Sequence, residues 1–255
     1  MTFDQYIGID YSGAKAASSR LAALQVYIAV PGAEPKRVEA PCAGRHNWCR
    51  RELAHWLLEQ LRDNGRSIIG IDHGMSFPMS YMLRNNLSSW DEFLAHFHEL
   101  WPTDRDHMYV DFVREQEPPS GSATELRLCE SWTAGAKSVF HFDVQGSVAK
   151  STHAGLPWIR FIRDELQPRG VLHCWPFDGF EIPERKSVIA EMYPSILRRR
   201  FASSERTADQ QDAFSIAAWL KQMDSRGMLH QYFNPPLSLP ERRRAALEGW
   251  ILGVY

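Results

Sequence analysis

Tyr6-Ile7-Gly8-Ile9-Asp10-Tyr11-Ser12-Gly13 opens the chain with an apolar run that ends in a carboxylate and then turns. The tetrapeptide Ile7–Asp10 returns as Ile69-Gly70-Ile71-Asp72. Isoleucines alternating within a short run bounded by turn formers predict two buried strands. A glycine inside each lets a backbone or a ligand come close. If the two strands are neighbours, Asp10 and Asp72 stand at one sheet edge. Like charges that close repel and raise a carboxyl pKa, and a divalent cation relieves them.

Outward from this pair, Leu21–Val30 and Lys36–Ala40 read as a second and third strand, in antiparallel succession with the first. Asn47–Asn64 carries Leu53, Trp56, Leu57 and Leu61 at helical spacing, with Asn64-Gly65 as its stop. Strand, helix, strand implies a right-handed crossover, so the strand at Ile68–Asp72 runs parallel to the first. Residues from about 76 to 150 are less regular and read as a large, mostly helical insertion after this fourth strand. Within it Ser89 caps a helix over Trp90–Trp101, Glu92 completes the capping box, and Pro102 ends it. A helix is predicted over Pro157–Leu166, with Pro157 at its first position. Strands follow at Val171–Trp175 and Ser187–Tyr193, then a helix from Pro194 to about Phe201 and another from Ala208 to Lys221.

Four acids stand where structure alone rarely puts them. Asp10 and Asp72 end apolar strands, and Glu191 interrupts Val188-Ile189-Ala190-Glu191-Met192. Asp212 shares a helical face with Ile216 and Leu220, and Asp209 lies beside it. Taken singly, Asp10 is also an ordinary turn residue, Asp209 suits a helix N-terminus, and any of them could pair with an arginine. Together, three strand acids and one helix acid are what two-metal phosphoryl transfer requires, and Mg²⁺ or Mn²⁺ would take such oxygen ligands. Substrate contacts are expected from Ser12, Gly13 and Lys15 in the turn after Asp10, from His73, and from Ser151, Thr152 and His153. The last three serve equally as helix caps.

The order Ile-Gly-Ile-Asp-Tyr-Ser-Gly, Gly-Ile-Asp-His-Gly-Met-Ser-Phe-Pro (Gly70–Pro78), Gly-Ser-Val-Ala-Lys-Ser-Thr-His-Ala-Gly (Gly146–Gly155), Ala-Glu-Met-Tyr-Pro (Ala190–Pro194), Asp-Gln-Gln-Asp-Ala-Phe (Asp209–Phe214) and Glu-Gly-Trp-Ile (Glu248–Ile251) resembles domain-of-unknown-function family 429. These uncharacterised proteins are taken to be nucleases of ribonuclease H-like fold. The resemblance covers most of the chain. It implies a single α/β domain with a mixed five-stranded sheet flanked by helices, and Asp10, Asp72, Glu191 and Asp212 as active-site acids. His73 stands where the family usually has a small residue.

The chain has 255 residues and a net charge of -2, so no broad basic field favours long nucleic acid. That leaves a specific nucleic acid or a small phosphodiester as substrate. A non-catalytic scaffold of this fold is one alternative. An actin- or sugar-kinase-like phosphotransferase, with Ser12–Lys15 cradling phosphate, is another. Four cysteines without a CxxC pair argue against structural zinc. Reduced thiols and the absence of a leader or an apolar span predict a cytoplasmic protein off the membrane.

Overall fold

The two Ile-Gly-Ile-Asp copies lie side by side in register. The computed structural model describes residues 2–41, 44, 46–63, 65–144, 146–203 and 205–255. In chain order, β1 (Gln5–Asp10), β2 (Gln25–Ala29) and β3 (Lys36–Arg37) precede α1 (Arg50–Asp63) and β4 (Ser67–Asp72). Then come α2 (Met79–Arg84), α3 (Trp90–Leu100), α4 (Val110–Arg114), α5 (Leu128–Trp132) and α6 (Ala149–Leu166). After these run β5 (Leu172–Cys174), β6 (Ser187–Glu191), α7 (Ala208–Ser225), α8 (Leu229–Phe233) and α9 (Leu239–Glu248).

The strands form one mixed sheet in the order β3-β2-β1-β4-β6-β5. β1 pairs with β2 and β2 with β3 antiparallel, while β1–β4, β4–β6 and β6–β5 are parallel. The α/β class is as expected. The sheet has the six strands read along the chain rather than the five the resemblance implies, with β5 as an edge strand beyond β6. In β1–β4, Ile7 faces Ile69, Gly8 faces Gly70, Ile9 faces Ile71 and Asp10 faces Asp72.

Strand side chains alternate between faces, which divides the core in two. Ile7, Ile9, Ile69, Ile71 and Ile189 pack with residues of α1, α3 and α6. Tyr6, Ile68, Val188, Ala190 and Met192 pack with α7. The two glycines belong to the α7 face. A Cβ on Gly8 would lie 2.1 Å from the Ala213 carbonyl oxygen and 2.6 Å from the Ala217 amide nitrogen. What the strand glycine admits is therefore the backbone of α7.

Ser89 and Glu92 form the expected capping box of α3. Pro157, in contrast, sits inside α6, which starts eight residues before it at Ala149. A proline there lacks the N–H that would bond the carbonyl of His153. The Thr103 hydroxyl donates to that carbonyl instead, at 2.8 Å. The helix expected from Pro194 is two short 3₁₀ turns, Pro194–Ile196 and Arg198–Arg200. The residues after α7 add α8 and α9, which no apolar period announced.

The inserted region is tied down by Glu248 of α9, which is fully buried. Its carboxylate accepts the N–H of Met79, the N–H of Leu128 (2.8 Å) and Nε of Arg244 (2.9 Å). Cys49, Cys129 and Cys174 are free and buried. Cys42, and Asn64 of the expected helix stop, lie outside the described residues. Among the described residues no helix is long and apolar enough to cross a membrane.

Candidate active site

Register alone brings Asp10 beside Asp72. Each closes a parallel strand, on strands about 4.8 Å apart, and each side chain shares the α7 face with Gly8 and Gly70. α7 contributes Asp212, buried, with Asp209 less than a turn earlier. Among the described residues neither Asp10 nor Asp72 has a hydrogen-bond or ion-pair partner. Asp212 has one: Arg198 of the second 3₁₀ turn grips it through Nε (2.5 Å) and Nη2.

The charges bear this out. Burial, then Asp72, Asp212 and Asp209, push the Asp10 carboxyl up to about 9, against a pull from Arg198. Burial, Asp212 and Glu191 hold Asp72 well above the carboxylate range. Asp209 is raised by burial and by Asp212. The folded pair therefore keeps a proton that the unfolded chain releases above about pH 4. By linkage, stability is present at low pH and falls as pH rises from about 4 to about 9. Asp10→Asn removes this loss. In metal-free buffer it should be the more stable protein at pH 8, by about 1–3 kcal/mol, with the gap closing towards pH 4. Urea titrations at both pH values check this, and a gap that stays constant would refute it.

Glu191 does not join the cluster. It faces Ile71 in the β4–β6 register, so alternation turns its side chain to the other face of the sheet. There Arg127 meets it as a fork, Nη1 to Oε2 at 2.7 Å and Nη2 to Oε1 at 2.6 Å. The Met75 N–H adds a third bond to Oε2 at 3.1 Å. Arg127 is 1% exposed, and its Nε binds Glu130 at 2.9 Å. The acids thus divide into a group around Asp10 and Asp72 and an arginine-paired Glu191 on the other sheet face, close enough to Asp72 to raise it and to line the same cleft. Among the described residues no three His, Cys, Asp or Glu side chains converge as a metal-ligand set. A cleft at the strand ends is lined by Asp72, Arg127, Glu130, Lys137, Glu191 and Tyr193 among others.

The turn after Asp10 is held from within. Arg50 donates to the carbonyls of Ser12 (3.0 Å), Ala14 (2.7 Å) and Lys15 (2.7 Å). A Cβ on Gly13 would lie 2.0 Å from the Lys150 carbonyl oxygen, so α6 backbone fills the space over that glycine. Lys15 is exposed and has a left-handed φ of 53°. His73 is buried, and its Nδ1–H donates to the Gly74 carbonyl at 2.8 Å. Burial pulls its pKa down to about 4, so it is neutral near pH 7.

Ser151, Thr152 and His153 are neither loop nor cap; they lie within α6 and are buried. The Ser151 hydroxyl donates to the Val148 carbonyl, and the Thr152 hydroxyl accepts the Gly74 N–H. His153 sits among Phe77, Trp101 and Phe142, and burial lowers its pKa to about 3. None of the three offers a polar group aimed at the carboxylate pair. Arg127 and Arg198 are the site residues that sequence reasoning missed. Arg198 belongs to a run of three exposed arginines, of which it alone among the described residues pairs with an acid, Asp212.

The chain matches no protein-family model, no curated protein and no solved structure.

Proposed function

We propose that this protein is a metal-dependent hydrolase of phosphodiesters, nucleic acid or small, on a ribonuclease H-like scaffold. One observation carries the reading: two carboxylates without partners, side by side at the open ends of parallel strands. Such a pair is unfavourable unless something positive binds it. The sheet order supports the scaffold, with three antiparallel strands followed by parallel ones. Asp10 and Asp72 suit a hard divalent ion such as Mg²⁺ or Mn²⁺ by their oxygen donors and uncompensated charge.

Such an ion would supply Lewis acidity and an activated water. The chain's own residues do the rest. Asp10 and Asp72 would hold the ion. Asp209, partly exposed, is placed to orient a water or take its proton. Arg198 is half-exposed and bonds through Nε and Nη2 to Asp212. Swinging outward, it would offer a planar fork to phosphate oxygens and free Asp212 as a further ligand. The net charge of -2 favours a small or locally recognised substrate.

A second reading has its own support. Burial and mutual repulsion raise both Asp10 and Asp72, so the metal-free pair retains a proton, as a proton-sharing acid–base dyad requires.

Calorimetric titration with Mg²⁺ and Mn²⁺ separates these readings. Wild type should bind and release protons as it does so, and Asp10→Asn should lose the binding. Hydrolysis of bis(p-nitrophenyl) phosphate and of short oligonucleotides should follow the same pattern. A wild type that binds neither ion, or an Asp10→Asn variant that binds equally well, sinks the metal reading and leaves the dyad or a scaffold.

A further inference from the structure

We propose that Arg127 is a resident cation that holds Glu191 out of metal coordination, so that the site takes one divalent ion at Asp10 and Asp72 rather than two. The inference rests on the metal-dependent reading and deepens it.

Both oxygens of the Glu191 carboxylate are engaged. Oε1 receives Arg127 Nη2, and Oε2 receives Arg127 Nη1 and the Met75 N–H. The carboxylate lies on the sheet face opposite Asp10 and Asp72, as its pairing with Ile71 dictates. To ligate an ion beside Asp72 it would have to leave a buried fork and free both Nη groups of Arg127, with Glu130 as the remaining carboxylate partner. Buried guanidinium N–H groups left unpaired are costly.

Neither partner is free to shift. Arg127 is anchored by its own N–H on Glu130 Oε2 (2.9 Å), by its Nε on Glu130 Oε1 (2.9 Å), and by Nη1 near the Glu248 carbonyl (3.4 Å). The next residue, Leu128, is bonded through its N–H to the Glu248 carboxylate. On the other side, the backbone of Glu191 bridges Ile251 and accepts the Leu252 N–H at 2.9 Å. The contrast with Asp212 is sharp. Its arginine is 52% exposed, whereas the Arg127 side chain is 1% exposed. Water can replace Arg198 on Asp212, whereas the Arg127 fork lines its cleft with side chains only 1% and 5% exposed. Asp212 can therefore be recruited to an ion, and Glu191 cannot.

Mn²⁺ counts the ions directly. Native mass spectrometry and calorimetry on the full chain should give one Mn²⁺ per chain, with the electron paramagnetic resonance spectrum of an isolated ion. Glu191→Gln keeps the shape and most of the hydrogen bonds. It should bind Mn²⁺ within about twofold of wild type, whereas Asp10→Asn should weaken binding by about tenfold or more. Two ions per chain with an exchange-coupled spectrum overturn the inference and leave the metal reading standing. A loss of about tenfold in Glu191→Gln also overturns it. If that variant fails to fold by circular dichroism, the stoichiometry and spectrum of wild type decide alone. No bound ion at all overturns the metal reading, and this inference with it.

Discussion

Gly8→Ala should cost the fold about 4 kcal/mol, near the top of the range for a single substitution. Gly8 has no left-handed φ, so the effect is purely steric. The added Cβ would sit 2.1 Å from the Ala213 carbonyl oxygen and 2.6 Å from the Ala217 nitrogen, and both are backbone atoms of α7. Neither moves unless the helix lifts, and α7 covers the face of the sheet over β1, β2 and β4, with Ile216, Trp219 and Leu220 in the core beneath it. Gly70→Ala is the control. Its nearest obstacles are side-chain atoms, Ile216 Cγ2 and Met192 Cγ, each at 2.5 Å. Side chains can turn aside where backbone cannot, so this loss should be smaller, about 1–3 kcal/mol. Denaturant unfolding of both variants tests the order. If Gly8→Ala loses less than about 1 kcal/mol, the close seat of α7 on β1 is refuted. Lifting α7 also withdraws Asp212 from Asp10, so the pH dependence assigned to the acid pair should weaken in the same variant.

Arg127→Met should cost about 3–5 kcal/mol, because it leaves two buried glutamates without their cation. Glu191 loses both arms of its fork, and Glu130, already raised by burial, loses its counter-charge. The penalty belongs to the stranded charges rather than to lost contact area. The double variant Arg127→Met/Glu191→Gln should therefore be more stable than Arg127→Met alone, by about 1–3 kcal/mol. The pH profile gives a second readout. Stranded glutamates have raised folded pKa values, so the deficit should be small where both are protonated and grow as pH rises through the carboxylate range. Urea unfolding near pH 4 and pH 8 for all three proteins closes the cycle. A double variant no better than Arg127→Met would show that the fork contributes shape rather than charge compensation.

Much of the frame could be read from the chain. A repeated Ile-Gly-Ile-Asp with a helix between its copies leaves little choice but a parallel pair, and identical lengths before each aspartate align Asp10 with Asp72. The capping residues Ser89 and Glu92 marked α3, because a cap acts on its own helix and needs no distant partner. What escaped reading depends on pairings between remote segments. The alternation of Ile189 and Glu191 against Val188 and Ala190 is visible, yet only the β4–β6 register says which face holds the carboxylate. Arg127 is a single arginine in an irregular stretch, 64 residues from Glu191, and no period points to it. Pro157 was misplaced because a proline at a helix start and a proline rescued by Thr103 look alike in one dimension. The arginine run at Arg198 concealed its one paired member among two solvated ones.

Glu248 has a consequence for the order in which the molecule assembles. Its two backbone partners lie 169 and 120 residues earlier, at Met79 and Leu128. Contacts spanning that much chain form slowly, after local helices and the nearer strand pairs. The first turns of α2 and α5 thus wait for α9 to dock before their exposed N–H groups are met. The Arg127 fork, one residue from Leu128, closes in the same late step. Chains caught before it carry a bare Glu191 at the end of β6, so this region is where folding stays incomplete longest.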